Sequence, residues 1–81
     1  MSTMIEYNKY AVGYVLRQLR KERGLSQEVF SGLAGLARSH IAMIESGKKQ
    51  ANLETIWKIS EAFGLLPSEF VKLVEQHINS K

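Results

Sequence analysis

The residues best equipped for chemistry lie between Arg38 and Lys49, and what they suit is contact with base edges and phosphates. Arg38 carries a planar fork of donors that matches the O6 and N7 acceptors of guanine in a major groove. Ser39 can bond either a base edge or a phosphate oxygen. Met43 is an odd side chain to leave in water, and against DNA it can contact a thymine methyl group. The plainer alternative makes Met43 and His40 half-buried helix residues. Lys48 and Lys49 follow at once as a pair of cations. Bond-breaking chemistry has little to work with, because the chain holds no Asp and no Cys. His40 and His77 stand apart, with no acidic cluster at metal-ligand spacing, so no metal, cofactor or enzyme activity is expected. Ser39 and His40 are neighbours, but adjacent helical side chains diverge by about 100° and make no nucleophile–base pair.

These residues need a helix that presents one face and buries the other. The run Leu25 to Lys49, LSQEVFSGLAGLARSHIAMIESGKK, provides it. Ser26 can cap a first helix by accepting an unpaired backbone N–H. Phe30 and Ala34 then share an inward face. Gly35 suits a sharp turn that needs positive φ. Leu36, Ile41 and Ile44 form the inward set of a second helix over about residues 37–46, whose opposite face carries Arg38, Ser39, Ala42 and Met43, with His40 at its flank. Gly47 should end that helix. Two helices joined this way have the layout of a DNA-reading helix-turn-helix.

Gln27 to Ser46 resembles, without a gap, the helix-turn-helix of the phage repressor and Cro family, the xenobiotic-response-element type. Gln27, Phe30, Ala34, Gly35, Leu36, Ile41, Ile44, Glu45 and Gly47 carry the likeness. Upstream, Leu16–Gly24 resembles the family's first helix. Downstream, Asn52–Ile56 and Ile59–Phe63 resemble its fourth. The resemblance covers Val12 to about Phe70. It implies a compact five-helix, lambda-repressor-like fold. It implies that Ser26 and Gln27, at a helix N-terminus, hold a phosphate and that Arg38, Ser39, His40 and Met43 face bases or adjacent phosphates. Lys48, Lys49 and Gln50 would clamp the backbone. Glu45 would pair with Arg20 on the first helix, partly buried, orienting elements more than adding net stability. The run Arg38–Ile41 is similar to the Arg-Thr-Tyr-Ile of restriction–modification controller proteins; small phage-type and mobile-element repressors are resembled as well.

The chain also departs from the family. Ala37 stands where Ser or Thr usually caps the recognition helix, an omission of about 1 kcal/mol. Ser31 replaces the usual alanine, and Gly32 is a poor helix former, by about 1 kcal/mol against Ala. Val29 and Leu33 fall on the side that the family usually charges. Either the N-terminal segment, with Met4, Ile5, Tyr7 and Tyr10, or a second protein is expected to cover them.

With 81 residues the chain is long enough for one domain with a modest core. The expected division is a single domain over 1–81, with an arm at 1–7, a four-helix core at 8–66 and a C-terminal helix at 67–79. The net charge of +3 is unevenly spread. Seven basic residues face three acidic ones from Arg17 to Lys49, whereas three lysines face four glutamates beyond it. The positive charge thus sits with the proposed reader, the footprint of a nucleic-acid partner. The absence of Cys, of a signal-like start and of an apolar run of about 18 residues points to a reduced, cytoplasmic protein with no membrane partner.

The first helix should run from about Asn8 to Arg23, with Val12, Val15, Leu16 and Leu19 inward. Asn52 should cap a fourth helix whose core stripe is Leu53, Ile56, Ile59 and Phe63. Pro67 should open a fifth helix. Five helices without strand alternation make the chain all-α. On the fifth helix Phe70 and Leu73 can face the core, while Val71, Val74 and Ile78 form a neighbouring stripe. Trp57 lies off the fourth helix's core stripe. Trp57, Val71, Val74 and Ile78 are therefore expected to contribute to a homodimer contact; the alternative is that Trp57 covers the domain's own core edge. A homodimer would read a pseudo-palindromic operator in double-stranded DNA and regulate transcription. The rival functions are an antitoxin that also grips a toxin or other protein through Val29 and Leu33, and an interaction module without DNA binding.

Overall fold

The computed structural model describes residues 5–80, and these form five α-helices and no strand. They are α1 (Ala11–Glu22), α2 (Gln27–Ala34), α3 (Arg38–Glu45), α4 (Leu53–Ala62) and α5 (Pro67–Asn79). Their ends follow from side-chain chemistry. Ser26 Oγ accepts the N–H of Val29 at 3.0 Å and opens α2. Asn52 Oδ1 accepts the N–H of Thr55 at 2.8 Å and opens α4. Pro67 takes the first position of α5, where a missing N–H costs nothing. Glu69 reaches back to accept the N–H of Leu66 at 2.8 Å.

The core is a single cluster built from all five helices. Leu16, Phe30, Ile41, Ile59 and Phe70 are fully enclosed in it. Phe30 and Phe63 stack with ring centroids 4.5 Å apart, tying α2 to the end of α4. Arg23 closes that end, donating Nη1 to the Phe63 carbonyl at 2.8 Å. A cation there also complements the negative end of the α4 dipole.

Four sequence expectations need correction. Helix α1 starts at Ala11 rather than Asn8, because Asn8 makes a turn of its own. Its side chain accepts the N–H of Tyr10 at 2.9 Å and its carbonyl accepts the N–H of Ala11 at 3.0 Å, which delays helix entry. Leu53 is 68% exposed rather than in the core stripe. It sits in the first turn of α4, at the margin of the buried face formed by Thr55, Ile56, Ile59 and Ser60, and shares the outer face with Trp57 four residues on. Val74 is only 7% exposed, so it does not belong to an open stripe with Val71. It lies four residues after Phe70 and follows it into the core. Ile78 is half-buried against that same core. Finally, residues 5–10 of the N-terminal segment do not cover Val29 and Leu33, which are 53% and 60% exposed. From Ile5 to Tyr10 it packs instead toward α5 and the loop after α3. Met4, the other residue named as a cover, lies outside the described residues.

Candidate nucleic-acid interface

Gly35 makes the turn between α2 and α3 with φ 69° and ψ 33°, a left-handed conformation that L side chains rarely adopt. The Leu36 N–H closes the turn on the Ser31 carbonyl at 2.9 Å. Helix α3 then lies with Ile41 and Ile44 buried. Its outward side exposes Arg38, Ser39 and Met43, while His40 and Ala42 are half-exposed. The His40 N–H donates to the Ala37 carbonyl at 3.0 Å. Ala37 offers α3 no side-chain cap, however, so the N–H groups of Arg38 and Ser39 have none. Such groups favour an anion such as a phosphate.

Three devices fix α3 in place. The first is a charged network below it. Arg20 donates Nε to Glu45 Oε2 at 2.7 Å, Nη2 to Glu45 Oε1 at 2.9 Å and Nη1 to the Leu25 carbonyl at 2.8 Å. Both side chains are enclosed, at 9% and 3% exposure. The hydrogen bonds to Glu45 raise the Arg20 pKa above its ordinary value, against the pull of burial, so the guanidinium stays charged. Gln27 adds a donation from Nε2 to Glu45 Oε1 at 3.0 Å. One network thus joins α1, the start of α2 and the end of α3.

The second device is a close helix crossing at Gly13. A Cβ placed there would overlap the Ile44 carbonyl oxygen and stand 2.9 Å from Glu45 Cα. Only hydrogen fits between α1 and the recognition helix. The sequence signal for Gly13 is an isolated glycine inside an apolar helical run, which often marks close packing.

The third device is the turn after α3. Gly47 takes φ 80°, and the N–H groups of Lys48 and Lys49 both donate to the Met43 carbonyl, at 3.0 and 3.2 Å. Both lysines are exposed immediately beyond the recognition helix. Ser26 is exposed at the start of α2. Gln27 is half-buried, with one of its two amide hydrogens spent on Glu45. Gln50, expected as a phosphate clamp, is exposed and is also held within the chain: its Oε1 accepts from the Tyr7 hydroxyl and its Nε2 spends one of its two hydrogens on the Lys9 carbonyl at 3.0 Å. Trp57 and Val71 are exposed on another part of the surface, on α4 and α5. His77 stacks on Tyr14 with ring centroids 4.1 Å apart, a packing role remote from His40. Among the described residues no group of three or more His, Cys, Asp or Glu is placed to hold a metal. Among them no helix is long and apolar enough to cross a membrane.

Comparison with known proteins gives a consistent set of relatives. The profile of a helix-turn-helix family matches residues 16–70. The control protein C.MunI of a Mycoplasma species is 38% identical over 69 residues, covering 84% of this chain and 93% of that protein. The crystal structure of the restriction-modification controller protein C.AhdI from Aeromonas hydrophila superposes with a TM-score of 0.72 at 37% identity, covering 76% of this chain and 94% of that one. The transcriptional regulator PuuR of Escherichia coli is also 38% identical, but the match spans only 32% of its length.

Proposed function

The chain belongs to the helix-turn-helix family of DNA-binding transcription regulators, the xenobiotic-response-element type, and on that premise we propose that it binds duplex DNA sequence-specifically as a homodimer on a pseudo-palindromic operator. The observation that carries this is the two-sidedness of α3. Ile41 and Ile44 lock one side into the core while Arg38 and Ser39 are exposed on the other and Met43 is partly so, with Lys48 and Lys49 immediately beyond. Arg38 and Met43 read base edges, Ser39 and His40 contact bases or adjacent phosphates, and the lysines with Ser26 and Gln27 hold the backbone. Two copies related by a two-fold axis place their readers in half-sites about one helical turn apart. Trp57, Leu53 and Val71 are the exposed apolar residues of α4 and α5 available to such a contact. Residues 1–81 act as one domain, with α5 serving both the core and that contact. Nearly the whole length of both controller proteins is matched, at 38% and 37% identity, which supports a controller-type regulator.

Selection of bound sites from random duplex DNA at about 150 mM salt, where non-specific binding is weak, tests this directly. An enriched two-fold symmetric motif is the expected result. No enrichment would sink the sequence-specific reading and leave the second one, a partner-binding protein of antitoxin type. The exposed Val29 and Leu33 on α2 support that alternative.

The two classes of contact should separate on mutation. Arg38→Ala should cost roughly 1–3 kcal/mol on the best site and relax one base position. Lys48→Gln should weaken all sequences alike and flatten the slope of log affinity against log salt by about 0.9. Titrations of specific and scrambled duplexes across a salt series read both effects. Equal loss of specificity from the two variants would contradict the assignment.

A further inference from the structure

Tyr7, Lys9 and Tyr10 precede α1 in sequence, yet they pack on the loop between α3 and α4. Gln50 is held on both amide atoms, by the Tyr7 hydroxyl and by the Lys9 carbonyl. The Tyr10 ring packs its edge against Gly47, where a Cβ would stand 2.7 Å from the ring's Cε1. Lys9 folds its ammonium to 5.3 Å from the centre of the Tyr10 ring. These anchor points, Gly47 and Gln50, bracket Lys48 and Lys49. The Met43 carbonyl binds the backbone N–H groups of the same two lysines from the recognition helix. The basic loop is therefore clamped between α3 and a segment remote in sequence.

We propose that Tyr7–Tyr10 is a strap that positions Lys48 and Lys49 for phosphate contact, with Tyr7 and Gln50 as its positioning residues. This rests on the DNA-binding reading above. The physical reason is ordering cost. A lysine on a free loop must lose backbone as well as side-chain freedom when it meets a phosphate, and a loop already fixed on both sides loses less. Among the described residues no hydrogen bond joins the strap to Arg38, Ser39, His40 or Met43, so its contribution should be the same for every DNA sequence. It also explains why Gln50, next to two cations, is turned to the protein rather than left for DNA.

Tyr7→Phe removes one hydroxyl from an exposed ring and should leave the fold intact. Without DNA, hydrogen exchange of the amides from Lys48 to Gln50 should accelerate. Affinity for specific and scrambled duplexes should fall by the same factor, roughly two- to fivefold. The penalty of Lys48→Gln should shrink in the Tyr7→Phe background, because an unpositioned lysine has less to lose. Unchanged exchange and unchanged affinity, with the parent binding normally, would overturn the strap alone. So would faster exchange with full affinity, or a Lys48→Gln penalty that is identical in both backgrounds. A parent chain that binds no duplex even at low salt would overturn the DNA reading, and the strap with it.

Discussion

Arg20→Met should lower folding stability by about 3–5 kcal/mol, the range for breaking one side of a buried ion pair. The loss is not the worth of a contact in isolation. Removing the guanidinium leaves the Glu45 carboxylate enclosed with only the Gln27 amide for company, and strips the Leu25 carbonyl of its side-chain donor. An uncompensated buried charge is the main cost. A domain of this size has roughly 4–12 kcal/mol in total, so the variant should be near the edge of folding. Urea denaturation followed by circular dichroism measures the change. Arg20→Met combined with Glu45→Met should recover much of the loss, since a hydrophobic pair of similar volume has no charge to strand. A single-variant cost of only about 0–1 kcal/mol, the value for surface pairs, would refute the buried-network account. The double variant carries a second consequence. It restores stability without the geometry that ties the end of α3 to α1 and α2, so DNA affinity should recover less than stability does.

The architecture was legible because local signals and apolar period agree. Ser26, Asn52 and Pro67 mark helix starts, and Gly35 marks the turn between α2 and α3, each through its own backbone chemistry. Core positions were legible where two or three apolar residues repeat at helical spacing, as with Ile41 and Ile44. The reading failed where a helix has several apolar stripes. In α5 nearly every face carries an aliphatic residue, so spacing alone did not say that Val74 follows Phe70 inward while Val71 stays out. In α4 the pattern did not reveal that the first turn runs past the core, leaving Leu53 beside Trp57.

The candidate interface divides along the same line. The outward set of α3 was readable from its period, because the inward set defined the opposite face. The Arg20–Glu45 pairing came from the resemblance to a family, since 25 residues of separation leave no local trace. What the sequence hid are contacts made by groups without a pattern of their own. Tyr7 and Gln50 stand 43 residues apart, and an exposed Gln beside two lysines looks like one more polar loop residue. The N-terminal segment was expected over Val29 and Leu33 because it is apolar enough to cover something. From Tyr7 to Tyr10 its place is set by Gln50, which offers hydrogen bonds, and by Gly47, which leaves room for the Tyr10 ring.

Gly13→Ala and Gly32→Ala make the same chemical change in the middle of two helices and should have opposite signs. Gly32 in α2 has nothing within 4 Å of where a Cβ would stand, and its φ is not positive. Alanine there should stabilise the protein by about 1 kcal/mol through helix propensity alone. Gly13 gains the same propensity term, but its Cβ would overlap the Ile44 carbonyl oxygen and crowd the Glu45 backbone. Those are main-chain atoms of the recognition helix and cannot swing aside as a side chain would. Either α1 and α3 move apart, opening the core around Leu16 and Ile41, or the strain is kept. Overpacking typically costs 1–3 kcal/mol, and backbone overlap belongs at the upper end, so a net loss of about 2 kcal/mol is expected once the propensity gain of about 1 is subtracted. Where the variant folds by moving α3 away from α1, the Arg20–Glu45–Gln27 network is stretched as well, and DNA affinity should fall by more than the unfolded fraction explains. Thermal melts of the two variants with a duplex titration of each test the crossing. Equal melting temperatures for the pair would mean that α1 and α3 are not in backbone contact, and the positioning of the reader would then rest on the Arg20–Glu45–Gln27 network alone.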